Sequence, residues 1–159
     1  MIKSLLSENE KIVFLGIGNP LRGDDGVGCR FIRELKKKKF DRKRGIYLFN
    51  GEQLPENYLE PIVKVKPSKV FLVDAVDFGG NPGEIKLLRE ANPPPGFSTH
   101  TLSLSLLLEY FKKNQIGEIF IIGIQPKNIK WGDGLSKDCL LYTSPSPRDL
   151  STSRMPSSA

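Results

Sequence analysis

The residues best suited to chemistry are few: the paired acids Asp24 and Asp25, the acids Asp74 and Asp77, and His100, the one histidine in the chain. Asp24 and Asp25 lie in "GIGNPLRGDDGVG", a glycine-rich loop between an apolar run and a helical stretch. Such a loop often cradles phosphate, but the dinucleotide fingerprint fails here. Leu21 stands where the third glycine belongs, and two carboxylates repel a diphosphate at close range. No Gly-Lys-Ser/Thr follows, so a Walker loop fails too. The plainer use of the two acids is local, with Asp24 as a helix N-cap and Asp25 in the first turn. Asp74, in "VFLVDAVDFGGNPGEI", ends an apolar run and either caps a loop or faces a site, while Asp77 reads as a turn residue. His100, in "GFSTHTLSLSLLL", opens a helix as a capping residue, a surface residue or a ligand. An acid of the loop, Asp74 and His100 together form a three-ligand set for a borderline divalent metal, if the fold brings them to one place.

The elements that must do so can be read from hydrophobic patterning. Near-continuous apolar runs at 12–17, 46–49, 70–73 and 119–124 predict buried strands, with a shorter fifth at 84–88 after the turn signal "GGNPG". Strands without alternation are covered on both faces, which implies a mostly parallel sheet. Helical stretches at 26–39, about 56–65 and 101–113 separate them at crossover lengths. In the last, Leu102, Leu106, Tyr110 and the intervening leucines predict a broad apolar face, capped by Ser98 or Thr99. The expected fold class is α/β, a three-layer α/β/α sandwich with a mostly parallel sheet of about five strands. The fifth strand is expected to be the antiparallel one, because a turn rather than a helix precedes it. Loops after parallel strands gather at one edge of the sheet, the edge where sites assemble. Asp25 follows the first strand, Asp74 ends the third, and His100 opens a later helix.

Charge and composition narrow the class. The net charge of +6 is concentrated in Lys36, Lys37, Lys38, Lys39, Arg42, Lys43 and Arg44, after the first helix. Cations there complement the helix dipole, and only Phe40 interleaves them, so the pattern predicts no nucleic-acid partner. No apolar run reaches the roughly 20 residues of a membrane span, and residues 1–11 lack a signal-peptide pattern. The cytoplasm is the expected location, with no membrane partner. Cys29 and Cys139 form no CxxC and suggest neither zinc nor a disulfide framework. From residue 139 the chain turns rich in Ser, Pro and Thr, giving an expected division into a domain at 1–138 and a tail at 139–159. That tail reads as a non-native or disordered segment without packed structure.

Four stretches, "GIGNPLRGDDGVG", "VDAVDFGGNPGEI", "STHTLSL" and "IIGIQP", occur in an order that resembles the hydrogenase maturation endopeptidases. The resemblance spans about residues 12–135 and is nearest to the branch serving formate-hydrogenlyase-type hydrogenases. It implies an endopeptidase that trims the C-terminal peptide from the [NiFe] hydrogenase large-subunit precursor after nickel insertion. It also implies that Asp25, Asp74 and His100 contact the metal and carry the site, the nickel arriving with the precursor. Two departures stand out. Asn50-Gly51 replaces the Asp-Gly that many members carry after the second strand, and the Ser/Pro-rich tail replaces a long amphipathic helix. Loss of a covering helix costs several kcal/mol at about 25 cal/mol per Å2 of apolar area.

No conventional peptidase constellation competes with this reading. Neither cysteine has a papain-like setting, and G-x-S-x-G is absent. An aspartic dyad remains open to two of the acids. From a different class, a non-catalytic metal- or nucleotide-binding α/β module is the alternative.

Overall fold

The computed structural model describes residues 10–43, 45–89 and 101–142, with the backbone alone at 101–103 and 141–142. Five strands, β1 (Ile12–Ile17), β2 (Ile46–Glu52), β3 (Lys69–Ala75), β4 (Ile85–Arg89) and β5 (Glu118–Ile124), form one sheet in the order β2-β1-β3-β5-β4. All neighbouring pairs are parallel except β4 with β5. The helices are α1 (Val27–Lys37), α2 (Leu59–Val65), α3 (Thr101–Lys113) and the short α4 (Lys137–Tyr142). The expected antiparallel strand is the right one, but its neighbour is β5, which lies between it and β3.

Alternation hidden inside the apolar strands sorts the core into two layers. Phe14, Phe71 and Phe120 face one side and stack in a row across β1, β3 and β5, with centroids 4.9 and 5.1 Å apart. Against them pack Phe31, Ile32 and Leu35 of α1. Val13, Leu15, Val70, Leu72, Ile119 and Ile121 face the other side, under α2 and α3. Burial on both faces is what commits such strands to a three-layer sandwich.

Several local expectations shift. The helix expected at 56–65 is a 3-10 turn, Pro55–Tyr58, followed by α2, because Pro61 lacks the amide hydrogen that would continue an earlier α-helical ladder. On α3 the buried stripe is Leu104, Leu107, Leu108 and Phe111, at i, i+3, i+4 and i+7, whereas Leu106 and Tyr110 point outward. Ser98 and Thr99, its expected caps, lie outside the described residues. The compositional boundary at 139 falls inside α4, and Cys139 is buried in the core beside Leu135. Residues 143–159 lie outside the described ones. Lys36 to Lys39, Arg42 and Lys43 are exposed at the far end of α1, the end remote from the acidic loop.

Candidate functional site

The carboxyl edge of the sheet is built around one close contact. A Cβ on Gly28 would sit 2.2 Å from the Val73 carbonyl oxygen and 2.6 Å from that of Ile17. Only glycine lets the first turn of α1 lie directly on the carboxyl ends of β1 and β3. The turn just before it, the 3-10 segment Gly23–Gly26, packs against β3. Asp25, in that turn, and Asp74, one residue beyond Val73, are thereby brought to the same edge, and both are buried. His100 lies outside the described residues, so the third expected contact has no described position. Among the described residues, no three His, Cys, Asp or Glu side chains group as a metal site.

The loop that carries Asp25 is held by its own groups. Gly18 has φ +144°, and a Cβ there would meet the Asp25 carbonyl oxygen, so glycine is required. The Asn19 amide donates to Asp25 Oδ2 at 3.0 Å, and the Leu21 amide donates to Asn19 Oδ1 at 3.0 Å. Gly18 N–H donates to the Glu52 carbonyl at 2.9 Å, tying the loop to the end of β2.

Asp24 is not the helix cap that its position suggests. Neither the 3-10 turn nor α1 has a side-chain cap. The Asp24 carboxylate instead accepts amide hydrogens from Lys127 at 2.8 Å, Asn128 at 3.2 Å and Ser136 at 2.7 Å. Burial alone raises its pKa, but the donations from Ser136, Lys127 and Asn128 outweigh that and hold it below the ordinary 3.8. The second aspartate of the pair is thus placed by the first. Asp24 fastens the loop to the segment after β5, and Asp25 follows at the edge of β3.

Asp77 is a turn residue, as expected. Its Oδ1 accepts from Gln125 Nε2 at 3.1 Å and from the Gly79 amide at 3.0 Å, and these bonds lower its pKa. Gln125, the glutamine of "IIGIQP", also accepts the Phe78 and Gly80 amides on its Oε1 at 2.9 and 3.1 Å. That buried side chain therefore shapes the loop following Asp74.

Local sequence gave no sign of Glu52. It sits in the left-handed region at φ +52° after a register shift beside Gly16, exposed at the same edge. Burial pushes the Cys29 thiol up to about 12, helped by the negative charges of Glu52 and Asp74 and opposed by Arg33. Burial likewise lifts Cys139 to about 11. Both thiols are fully buried, so neither suits a nucleophile. The folded protein should take up no iodoacetamide near neutral pH, and the unfolded chain should take up two equivalents. Rapid alkylation of the native state, read by mass, would contradict the assigned burial. Asn50 lies opposite Gly16 in the β1–β2 register, with Oδ1 buried and unpartnered among the described residues.

Comparison with known proteins places this architecture. The sequence pattern of the hydrogenase maturation protease family matches residues 29–139, beginning just past the acidic loop. A putative hydrogenase maturation protease of Methanocaldococcus jannaschii is 36% identical over 135 residues, covering 81% of this chain and 80% of that one. The hydrogenase 3 maturation protease of Escherichia coli K12 is 35% identical over 117 residues, covering 72% of each. A crystal structure of a [NiFe] hydrogenase maturation protease from Thermococcus kodakarensis superposes with a TM-score of 0.73 at 28% identity, covering 90% of this chain and 91% of that one. A non-catalytic binding module is set aside by these relatives. With its five-stranded sheet, its glycine-pinned α1 and these relatives over most of its length, the chain belongs to the hydrogenase maturation proteases and is an endopeptidase.

Proposed function

We propose that this endopeptidase removes the C-terminal peptide from a [NiFe] hydrogenase large-subunit precursor once nickel has been inserted, and does so in the cytoplasm. The observation that carries the reading is the seating of α1 on β1 and β3, which sets two buried carboxylates, Asp25 and Asp74, at one edge. Burying carboxylates is costly, and clusters of buried acids at a sheet's carboxyl edge are often kept for function. The described part of the site contains no histidine, and the "STHTLSL" motif supplies His100 as the nitrogen donor. Two carboxylates and an imidazole suit a borderline divalent ion such as nickel.

In this reading nickel is part of the substrate rather than a resident of the protease, and it brings Lewis acidity to the scissile region. Asp25 is oriented by the Asn19 amide, which fixes one of its oxygens and leaves the carboxylate's direction set before substrate arrives. Asp74 is fixed by its place in β3, in register with Gly123 of β5. His100, the residue before Thr101 in the sequence, would complete the set.

The test is direct. The chain is incubated with nickel-loaded and nickel-free precursor, and the C-terminal mass loss is followed. Loss from the loaded form alone is expected. His100→Ala should abolish that loss while its circular dichroism stays that of the parent. Equal processing of nickel-free precursor, or normal processing by the His100 variant, would remove the metal-directed reading.

A further inference from the structure

The loop between β5 and α4 is ordered by several hydrogen bonds and carries one exposed aromatic side chain. Trp131 is 67% exposed, more than any other large apolar residue described. It sits at the apex of a loop that is closed on itself: the Lys130 amide donates to Asn128 Oδ1 at 2.8 Å, and Asn128 Nδ2 donates to Asp133 Oδ2 at 3.1 Å. That loop is fastened in turn to the acidic one. Besides the three amides on the Asp24 carboxylate, Gly132 N–H donates to the Leu21 carbonyl at 2.8 Å and Gly23 N–H to the Asp133 carbonyl at 2.9 Å. The Arg22 guanidinium lies 5.6 Å from the centre of the indole and backs it by a cation–π contact. Leu21, on the same wall, is 62% exposed.

We infer that Trp131, backed by Arg22 and flanked by Leu21, is a substrate-positioning residue that grips an apolar surface of the folded precursor beside its C-terminal peptide. The inference rests on the endopeptidase reading above. The occupant follows from continuity, because the loop that carries Leu21 and Arg22 runs directly into Asp25. A partner seated on the indole is thereby placed at the acidic edge. Tryptophan and arginine are residue types that dominate binding at protein interfaces. Here Trp131 is exposed with the half-buried Arg22 behind it, on a loop already ordered by its hydrogen bonds, which lowers the ordering cost of contact.

Trp131 is the single tryptophan, so the full chain labelled with 5-fluorotryptophan gives one fluorine resonance. Titration with unlabelled nickel-loaded precursor should shift or broaden it. In parallel, Trp131→Ala should raise KM about tenfold or more with kcat little altered, and Trp131→Phe should recover part of the loss. An unmoved resonance, or an unchanged KM for the alanine variant, while the parent still cleaves, overturns the inference and leaves the proposed function standing. If the parent neither binds nor cleaves the precursor, the proposed precursor processing falls and this inference falls with it.

Discussion

Asp25→Asn should lose precursor processing by about 10³-fold while melting within a degree or two of the parent. The substitution is nearly isosteric. Its amide oxygen can still accept the Asn19 amide that now bonds Asp25 Oδ2, so the loop keeps its shape. What disappears is a negative charge in a buried position beside β3. If the site engages a cation as proposed, that charge contributes several kcal/mol to the reacting state. The measurement is single-turnover cleavage with the fold checked by thermal melting. Cleavage within threefold of the parent would show that Asp25 serves only to shape the loop.

Asp24→Ala should do the opposite: a large loss of stability, and a loss of activity only as a consequence. Three amides, from Lys127, Asn128 and Ser136, lose a charged acceptor. Hydrogen bonds to charged groups contribute about 1.5–3 kcal/mol each, and these are partly exposed, so a total of about 2–4 kcal/mol is expected rather than the full sum. For a chain of this size that lowers Tm by roughly 5–15 °C. The acid limb gives an independent signature. A carboxylate held below its unfolded pKa contributes stability that is complete above the unfolded value and lost as the pH falls through the folded value. The parent should therefore weaken as the pH drops from about 4 downward, and Asp24→Ala should show a shallower decline. Denaturant titrations across that range decide it. A variant as stable as the parent at neutral pH would mean that the β5–α4 segment is held by other contacts.

The same pair of residues shows where local sequence stops being informative. Side by side before a helix, Asp24 and Asp25 invite a capping explanation, because capping is the only role that neighbouring residues can reveal. The true partners of Asp24 lie 103 to 112 residues away, beyond any window of periodicity. Asp74 was readable because the end of an apolar strand in a parallel sheet points to an edge. The strands were readable for the same reason, as continuous apolar runs, although β2 extends past 49 to Glu52 and carries an acid to the edge that no pattern announced. In α3 the leucines are so dense that apolar periodicity loses its phase, and packing against β3 and β5 chose Leu104, Leu107, Leu108 and Phe111. At the other end of the chain, the Ser/Pro-rich composition concealed that Cys139 is small and apolar enough to fill the core from a short helix.

The bonds that Asp24 makes also order events in time. A growing chain emits the acidic loop early, yet its three amide partners appear only with Lys127, Asn128 and Ser136. Closing a loop of that length costs about 2 kcal/mol more than closing one of ten residues, so the contact forms after the sheet has already gathered the two ends. The wall bearing Trp131 thus takes its place last. During synthesis the nascent protein carries Asp24 and Asp25 long before it carries the residues that fix their loop, and nearly all of the domain must leave the ribosome before cleavage can begin.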